Sequence, residues 1–111
     1  MSQSKRNPHD AINFIIKNSE RFAKAKAERV YLEEFRKSKK ALLMSTCTEP
    51  TAVAREQWAY SHPEYITLLD GIKESVEIEE QLRWSLIAAQ MRVEVWRSEN
   101  ANNRFVDRAT T

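Results

Sequence analysis

The chain has almost none of the residues that build turns, disulfides or phosphate loops. Its 111 residues include one glycine, three prolines and one cysteine. So few glycines and prolines exclude the many turns of a β-sandwich or barrel, and also a glycine-rich phosphate loop. A single cysteine excludes a disulfide framework and a cysteine-based zinc site, and it fits a reducing compartment. The length allows at most one domain with a short tail.

Long apolar runs are also missing. No run approaches the ~18–20 residues of a membrane span, and residues 1–10 are polar with no apolar signal core behind them. We therefore expect a cytoplasmic protein that does not bind a membrane. His9 and His62 have no cysteine or acidic cluster at ligand spacing, so we expect no metal and no cofactor.

The sequence offers no arrangement of catalytic side chains. Cys47 lacks the surroundings of a nucleophile, and no Ser/His/Asp set has supporting spacing. Glu77, Glu79 and Glu80 point in different directions on a helix and are more typical of a solvated face than of paired catalytic carboxylates. We therefore predict a protein that is not an enzyme.

Strong helix formers dominate what is present. Asn7 suits an N-cap and Pro8 the first helical position, and no glycine or proline follows until Pro50. This pattern predicts a first helix over about residues 8–44. The polar, β-branched stretch before Pro50 breaks it, and a short helix over residues 51–60 follows.

A second helix start is visible at the next proline. Ser61 and Glu64 have the spacing of a capping box, and Pro63 lies in the first turn. Tyr60 and Tyr65 are placed to contact each other across this start. The helix predicted from this signal runs over residues 63–100, where asparagines weaken it.

These elements predict an all-α fold. Two long antiparallel helices, joined through the short helix, would form an extended, coiled-coil-like helical hairpin. Residues 1–7 are predicted to be a flexible N-terminus, residues 8–103 a single helical domain, and residues 104–111 a C-terminal tail. Each long helix would measure about 55 Å at 1.5 Å per residue.

Apolar residues recur at alternating three- and four-residue intervals along the second long helix, as in coiled coils. One partner helix covers only one side of such a stripe, so we expect a homo-oligomer, or burial against a different protein. Whether the tryptophans belong to a core or to an interface stays open. The residues expected at the oligomer or partner interface are Leu82, Trp84, Leu86, Val93 and Trp96.

Charge is divided between the two halves of the chain. Residues 1–48 carry 11 Lys and Arg against 5 Asp and Glu, whereas residues 49–111 carry 7 against 11. Five cations fall within an arc of about 100° on the first helix. We call them the basic strip: Lys26, Arg29, Arg36, Lys37 and Lys40.

The basic strip has two interpretations. It is long enough to neutralise several phosphates of a nucleic acid, with salt-sensitive and sequence-independent affinity. Alternatively it is a solvated helix face that pairs with acids, for which the stretch from Glu74 to Glu80 is available. A sparser group of arginines near the C-terminus includes Arg104 beside Phe105, the combination that single-strand binders use for phosphate contact and base stacking.

Several stretches together resemble small helical proteins that tailed bacteriophages encode in early or recombination regions. They are Ala25–Glu33, Ser61–Tyr65, Val93–Arg97 and Ala101–Arg104. In size and helical organisation the chain is similar to the recombination mediators of T-even phages. The resemblance implies binding of single-stranded DNA and loading of a recombinase in place of single-strand-binding protein, in the cytoplasm of a host cell. It implies a role and assigns no binding residue.

Two functions are therefore expected from the sequence. The first is a phage DNA recombination or replication accessory that binds single-stranded DNA as an oligomer, through the basic strip with help from Arg104 and Phe105. The second is a phage inhibitor or adaptor that binds a host nuclease or defence complex through its apolar face. In the second case the acidic stretch from Glu74 to Glu80 would mimic phosphate.

Overall fold

The computed structural model describes residues 7–110, and nearly all of this part of the chain is helical. Helix α1 is Pro8–Thr46, α2 is Ala52–Tyr60 and α3 is Pro63–Thr110. No strand occurs between residues 7 and 110. The all-α prediction is confirmed, whereas the extended hairpin and the oligomer stay predictions. Of the predicted flexible N-terminus, residues 1–6 lie outside the described residues.

The start of α1 follows the predicted chemistry, and α2 has a cap that was not predicted. The Asn7 side-chain oxygen accepts a hydrogen bond from the backbone N–H of His9 at 2.9 Å, and Pro8 is the first helical residue. Thr51, predicted as helical, is instead the N-cap of α2, where its hydroxyl accepts from the N–H of Ala54 at 3.1 Å. Each cap satisfies a backbone donor that has no partner within the helix.

The predicted capping box at the start of α3 is wrong. Ser61 is the C-cap of α2, and its hydroxyl donates to the carbonyls of Gln57 and Trp58. His62 caps α3 instead, with its Nδ1 accepting from the N–H of Glu64 at 3.1 Å. Only Ser61 and His62 connect α2 to α3. Ser61 therefore ends α2, and His62 is the residue left to cap α3.

The predicted end of the second long helix is also wrong. Helix α3 runs to Thr110 instead of stopping near Asn100, so residues 104–110 are helical and do not form the expected tail. The asparagines at positions 100, 102 and 103 disfavour a helix by at most about 0.7 kcal/mol each. No proline or glycine follows them, so nothing in this stretch stops the helix.

The chain divides into two compact units. The central unit is Ala23–Glu80, and the terminal unit is Met1–Phe22 with Gln81–Thr111, of which residues 7–22 and 81–110 are described. Residues of α1 and α3 belong to both units. The single domain over residues 8–103 stays a prediction.

The central unit contains a small hydrophobic core. Leu43 of α1, Ala59 of α2 and Tyr65 of α3 are buried together, and Met44 and Trp58 pack against them. Trp58 is thus a core residue of this unit. The predicted contact between Tyr60 and Tyr65 is confirmed, with ring centroids 5.2 Å apart.

The terminal unit buries much smaller side chains. Among its described residues only Ala11, Asn18 and Ala89 are buried. Asn18 is satisfied locally, because its side-chain amide donates to the carbonyl of Phe14 at 2.9 Å. Burial of two alanines removes little apolar surface from water.

Candidate nucleic-acid interface

The basic strip lies entirely on the part of α1 that belongs to the central unit. This segment is rich in Ala, Lys, Glu and Arg and has no glycine or proline, so its side chains project at regular helical intervals. Over the 14 residues from Lys26 to Lys40 the strip is about 21 Å long. The five cations have three different environments.

Arg29 is an internal contact of the central unit. Its Nε donates to Glu79 on α3 at 2.6 Å, and its Nη1 donates to Glu33, one turn along α1, at 3.0 Å. Glu79 is only 2% exposed. The hydrogen bonds to Glu79 and Glu33 raise the pKa of Arg29. Because a buried carboxylate already engages its guanidinium, Arg29 contributes to the fold of this unit and not to an open cationic surface.

Lys40 occupies an intermediate position. Its Nζ lies 3.2 Å from a carboxylate oxygen of Glu56 and 4.9 Å from the centroid of the Tyr60 ring. Hydrogen bonds with Tyr60, the larger cause, and with Glu56 raise the pKa of Lys40. The ammonium is therefore charged at neutral pH and held beside the ring by a cation–π contact.

The other three cations of the strip are open to solvent. Lys26, Arg36 and Lys37 are exposed, and neither Lys26 nor Arg36 forms an ion pair with any residue from 7 to 110. Lys37 lies 3.6 Å from Glu34 in a pair whose side chains are 76% and 70% exposed. Such a surface pair is worth about 0–1 kcal/mol, so it does not prevent Lys37 from reaching another anion.

Three cations of the strip share a groove with two tyrosines. The groove has a volume of about 680 Å³ and is lined by Arg36, Lys37, Lys40, Ala41, Met44, Tyr60 and Tyr65. Three of these side chains are positively charged and none is acidic. The tyrosines were not among the predicted binding residues. Their mutual contact was predictable, but their position beside α1 depends on how α2 folds back, which no local pattern specifies.

Arg104 and Phe105 belong to the terminal unit, so the structure does not group them with the groove. Phe105 is 69% exposed and lies on the helix, not beyond its end as predicted. Arg104 lines a separate open surface of the terminal unit together with Trp96 and Arg97. Arg97 is paired there with Glu94 at 2.9 Å.

The five predicted interface residues divide between two faces of α3 in the terminal unit. Leu82, Leu86 and Val93 are half-buried, and with the buried Ala89 they fall within about 60° of one another. Trp96 lies next to this face and is 41% exposed. Leu82, Leu86 and Val93 are therefore partly covered by the chain itself.

Trp84 lies on the opposite face of α3, about 180° from the half-buried residues. It is 64% exposed, and the exposed Met91 and Val95 fall on the same side of the helix. We call these three residues the outer apolar face. Sequence periodicity did not distinguish it from the half-buried face, because both faces carry apolar residues at helical spacing.

Two classes of site are not found between residues 7 and 110. No cluster of three or more His, Cys, Asp or Glu side chains there is able to hold a metal ion. None of the described helices is both long and apolar enough to span a membrane.

Comparisons with known proteins give no match: no family model, no curated protein sequence and no solved structure is significantly similar to the chain. The resemblance to phage recombination proteins therefore stays a prediction.

Proposed function

We propose that this protein is a non-enzymatic accessory of phage DNA recombination or replication that binds single-stranded DNA. The observation that carries the proposal is the groove of the central unit. It combines Arg36, Lys37 and Lys40 with exposed aromatic surface and has no carboxylate in its lining. Cations that track a phosphate backbone, together with aromatic rings, are the usual elements of sequence-independent single-strand binding.

The structure reduces the number of cations available to the DNA. Arg29 is engaged by Glu79, which leaves Lys26, Arg36 and Lys37, with Lys40 at the edge of the groove. Three or four phosphate contacts on a single strand correspond to a slope of about −2 to −3 for the logarithm of affinity against the logarithm of salt concentration. One subunit would therefore bind weakly.

Oligomerisation would convert weak binding into stable binding. Several subunits on one strand raise the effective concentration of each basic groove, so that their weak contacts reinforce one another. The outer apolar face supports such self-association, because three large apolar side chains exposed on one side of a helix, Trp84, Met91 and Val95, are typical of an interaction surface. In this proposal the long helices form an extended antiparallel hairpin in each subunit, and a recombinase or single-strand-binding protein is the partner on the DNA.

A charge-reversal experiment tests DNA binding. Fluorescence anisotropy of a labelled single strand is measured with the wild type and with the variant Arg36→Glu/Lys37→Glu, each at two salt concentrations. We expect the variant to lose at least tenfold in affinity at low salt and the wild type to follow the slope given above. The matched control is Lys73→Glu, which reverses an exposed lysine of the same unit outside the groove. Absence of binding by folded wild-type protein at low salt would contradict the proposal.

The outer apolar face also supports a second function, a phage inhibitor or adaptor that binds a host nuclease or defence complex. Exposed tryptophan and methionine are typical anchors of protein interfaces. The phosphate-mimicking stretch Glu74–Glu80 is weaker than expected, because Glu79 is buried against Arg29. In this case Trp84→Ser would abolish inhibition of a purified nuclease, and Arg36→Glu/Lys37→Glu would leave it unchanged.

A further inference from the structure

One exposed aromatic ring stands at the cationic groove in a fixed position. Tyr60 is the last residue of α2, lines the groove and remains 43% exposed. Its ring meets that of Tyr65 at an interplanar angle of 73°, and Tyr65 is buried in the core. The Lys40 ammonium lies over the same ring, 4.9 Å from its centroid. The ring is therefore held in place before any ligand arrives, which lowers the entropic cost of stacking against it.

The chemistry of the lining restricts the ligand. The lining holds three cations and no carboxylate, since Glu34 and Glu56, which pair with Lys37 and Lys40, lie outside it; it therefore favours an anion. The exposed tyrosine ring favours a flat, weakly polar group beside that anion. A volume of about 680 Å³ is within the range of small-ligand sites. A free phosphate would satisfy only the cations. A nucleotide carries the anion and the flat ring together.

We propose that the groove is a nucleotide subsite in which Tyr60 stacks a nucleobase while Arg36 and Lys37 hold the neighbouring phosphates. The inference rests on the proposed function and deepens it, because it explains a preference for single strands. In a duplex both faces of each base are already stacked, and extruding a base costs a few kcal/mol. A subsite of this kind therefore binds unpaired strands better than duplexes.

The test removes either the base or the ring. Anisotropy is measured with oligothymidine of about 30 nucleotides and with an abasic strand of the same length and charge. We expect the wild type to bind oligothymidine about tenfold more tightly than the abasic strand. Tyr60→Ala should lose this preference by weakening oligothymidine binding alone, whereas Tyr60→Phe, which retains the ring, should keep it.

Tyr31→Ala is the matched control. Tyr31 is an exposed tyrosine of the same unit, about 170° around α1 from the centre of the basic strip, and it stacks on Phe35. Its replacement should leave the preference for bases unchanged.

Four results would overturn the inference. Equal affinity of the wild type for the two strands would refute base stacking while leaving phosphate-mediated DNA binding intact. A preference that survives Tyr60→Ala would place the stacked base elsewhere. If Tyr60→Ala lowered the affinity for both strands equally, the ring would have only a structural role. Failure of the wild type to bind either strand at low salt would refute both the subsite and the proposed function.

Discussion

The central and terminal units share the same two long helices but differ in what they bury. The central unit has a core of Leu43, Ala59 and Tyr65 and an ion pair between Arg29 and a buried glutamate. The terminal unit buries only two alanines and one asparagine among its described residues. Tryptophans follow the same division, since Trp58 packs against a core and Trp84 lies in solvent.

This difference indicates how the two parts of the chain are stabilised. Besides segments of α1 and α3, the central unit contains the short helix α2, whose Ala59 and Trp58 add a third surface to the core. The terminal unit has only segments of two helices, and Trp84 on the outer apolar face of α3 stays 64% exposed within it. We therefore expect the core to stabilise the central unit, and association through the outer apolar face to add stability to the terminal unit.

The largest effect is expected from breaking the ion pair between the partly exposed Arg29 and the buried Glu79 of the central unit. Glu79→Ala leaves Arg29 without its main partner, and we expect the thermal midpoint to fall by more than about 10 °C. The control Glu34→Ala removes an exposed carboxylate from a surface pair and should change the midpoint by less than about 3 °C. Thermal unfolding followed by circular dichroism measures both. Similar midpoints for the two variants would contradict the internal role of Glu79.

The double variant Arg29→Met/Glu79→Leu refines this prediction. Replacing both charges with apolar residues leaves no buried ion, and only the solvent-accessible Glu33 carboxylate loses a partner, so we expect most of the lost stability to return. A double variant as unstable as Glu79→Ala would mean that other contacts of Glu79 dominate.

A smaller loss is expected from the core of the central unit. Leu43→Ala should lower the free energy of unfolding by about 2 kcal/mol, near the lower end for leucine because the core is small. Leu42, the next residue on the same helix, is exposed, and Leu42→Ala should cost less than about 0.5 kcal/mol. Urea unfolding of the two variants compares them directly. Equal losses would show that this core does not stabilise the unit.

In the terminal unit, a tryptophan replacement should affect association more than folding. We expect Trp84→Ser to weaken self-association about tenfold or more, because exposed tryptophans are frequent interface anchors. Helix content at low concentration should stay the same. Light scattering over a concentration series measures the mass, with Val53→Ser, an exposed apolar residue of the central unit, as the control. An unchanged mass for Trp84→Ser would refute the outer apolar face as the interface.

The smallest effect is expected at the single glycine. Gly71 lies inside α3 without a positive φ, and a Cβ placed there meets nothing within 4 Å. Gly71→Ala should therefore stabilise the protein by about 0.5–1 kcal/mol, mainly by restricting the unfolded chain. In urea unfolding we expect a higher midpoint for Gly71→Ala than for the wild type. A lower midpoint would mean that the helix needs flexibility at this position.

Local sequence patterns predicted the helices well and their far ends less well. Asn7 and Pro8 start α1 as expected, and the break before Pro50 separates the first two helices. The end of α3 was misplaced because asparagines only weaken a helix, and without a proline or glycine the helix continues through Phe105. The N-cap of α3 was predicted at Ser61, one residue too early. Ser61 is instead the C-cap of α2, and His62 caps α3.

The candidate site was predicted only in part. Helical spacing placed the basic strip on one side of α1, but it treated its five cations as equivalent. Their pairing with Glu79 and Glu56 depends on residues 50 and 16 positions away, beyond the reach of any periodic pattern. Tyr60 was identified as a contact of Tyr65 and not as part of a groove.

Local patterns in the amino-acid chain are enough to show that this protein is helical, where its helices begin, and that its positive charge is concentrated in the first half. These properties follow from interactions between residues a few positions apart, such as caps, propensities and the 3.6-residue period. The folded protein shows which cations are open, which tyrosines join them and which tryptophan is the most exposed. Those outcomes depend on contacts between distant segments, which form only when the chain has folded.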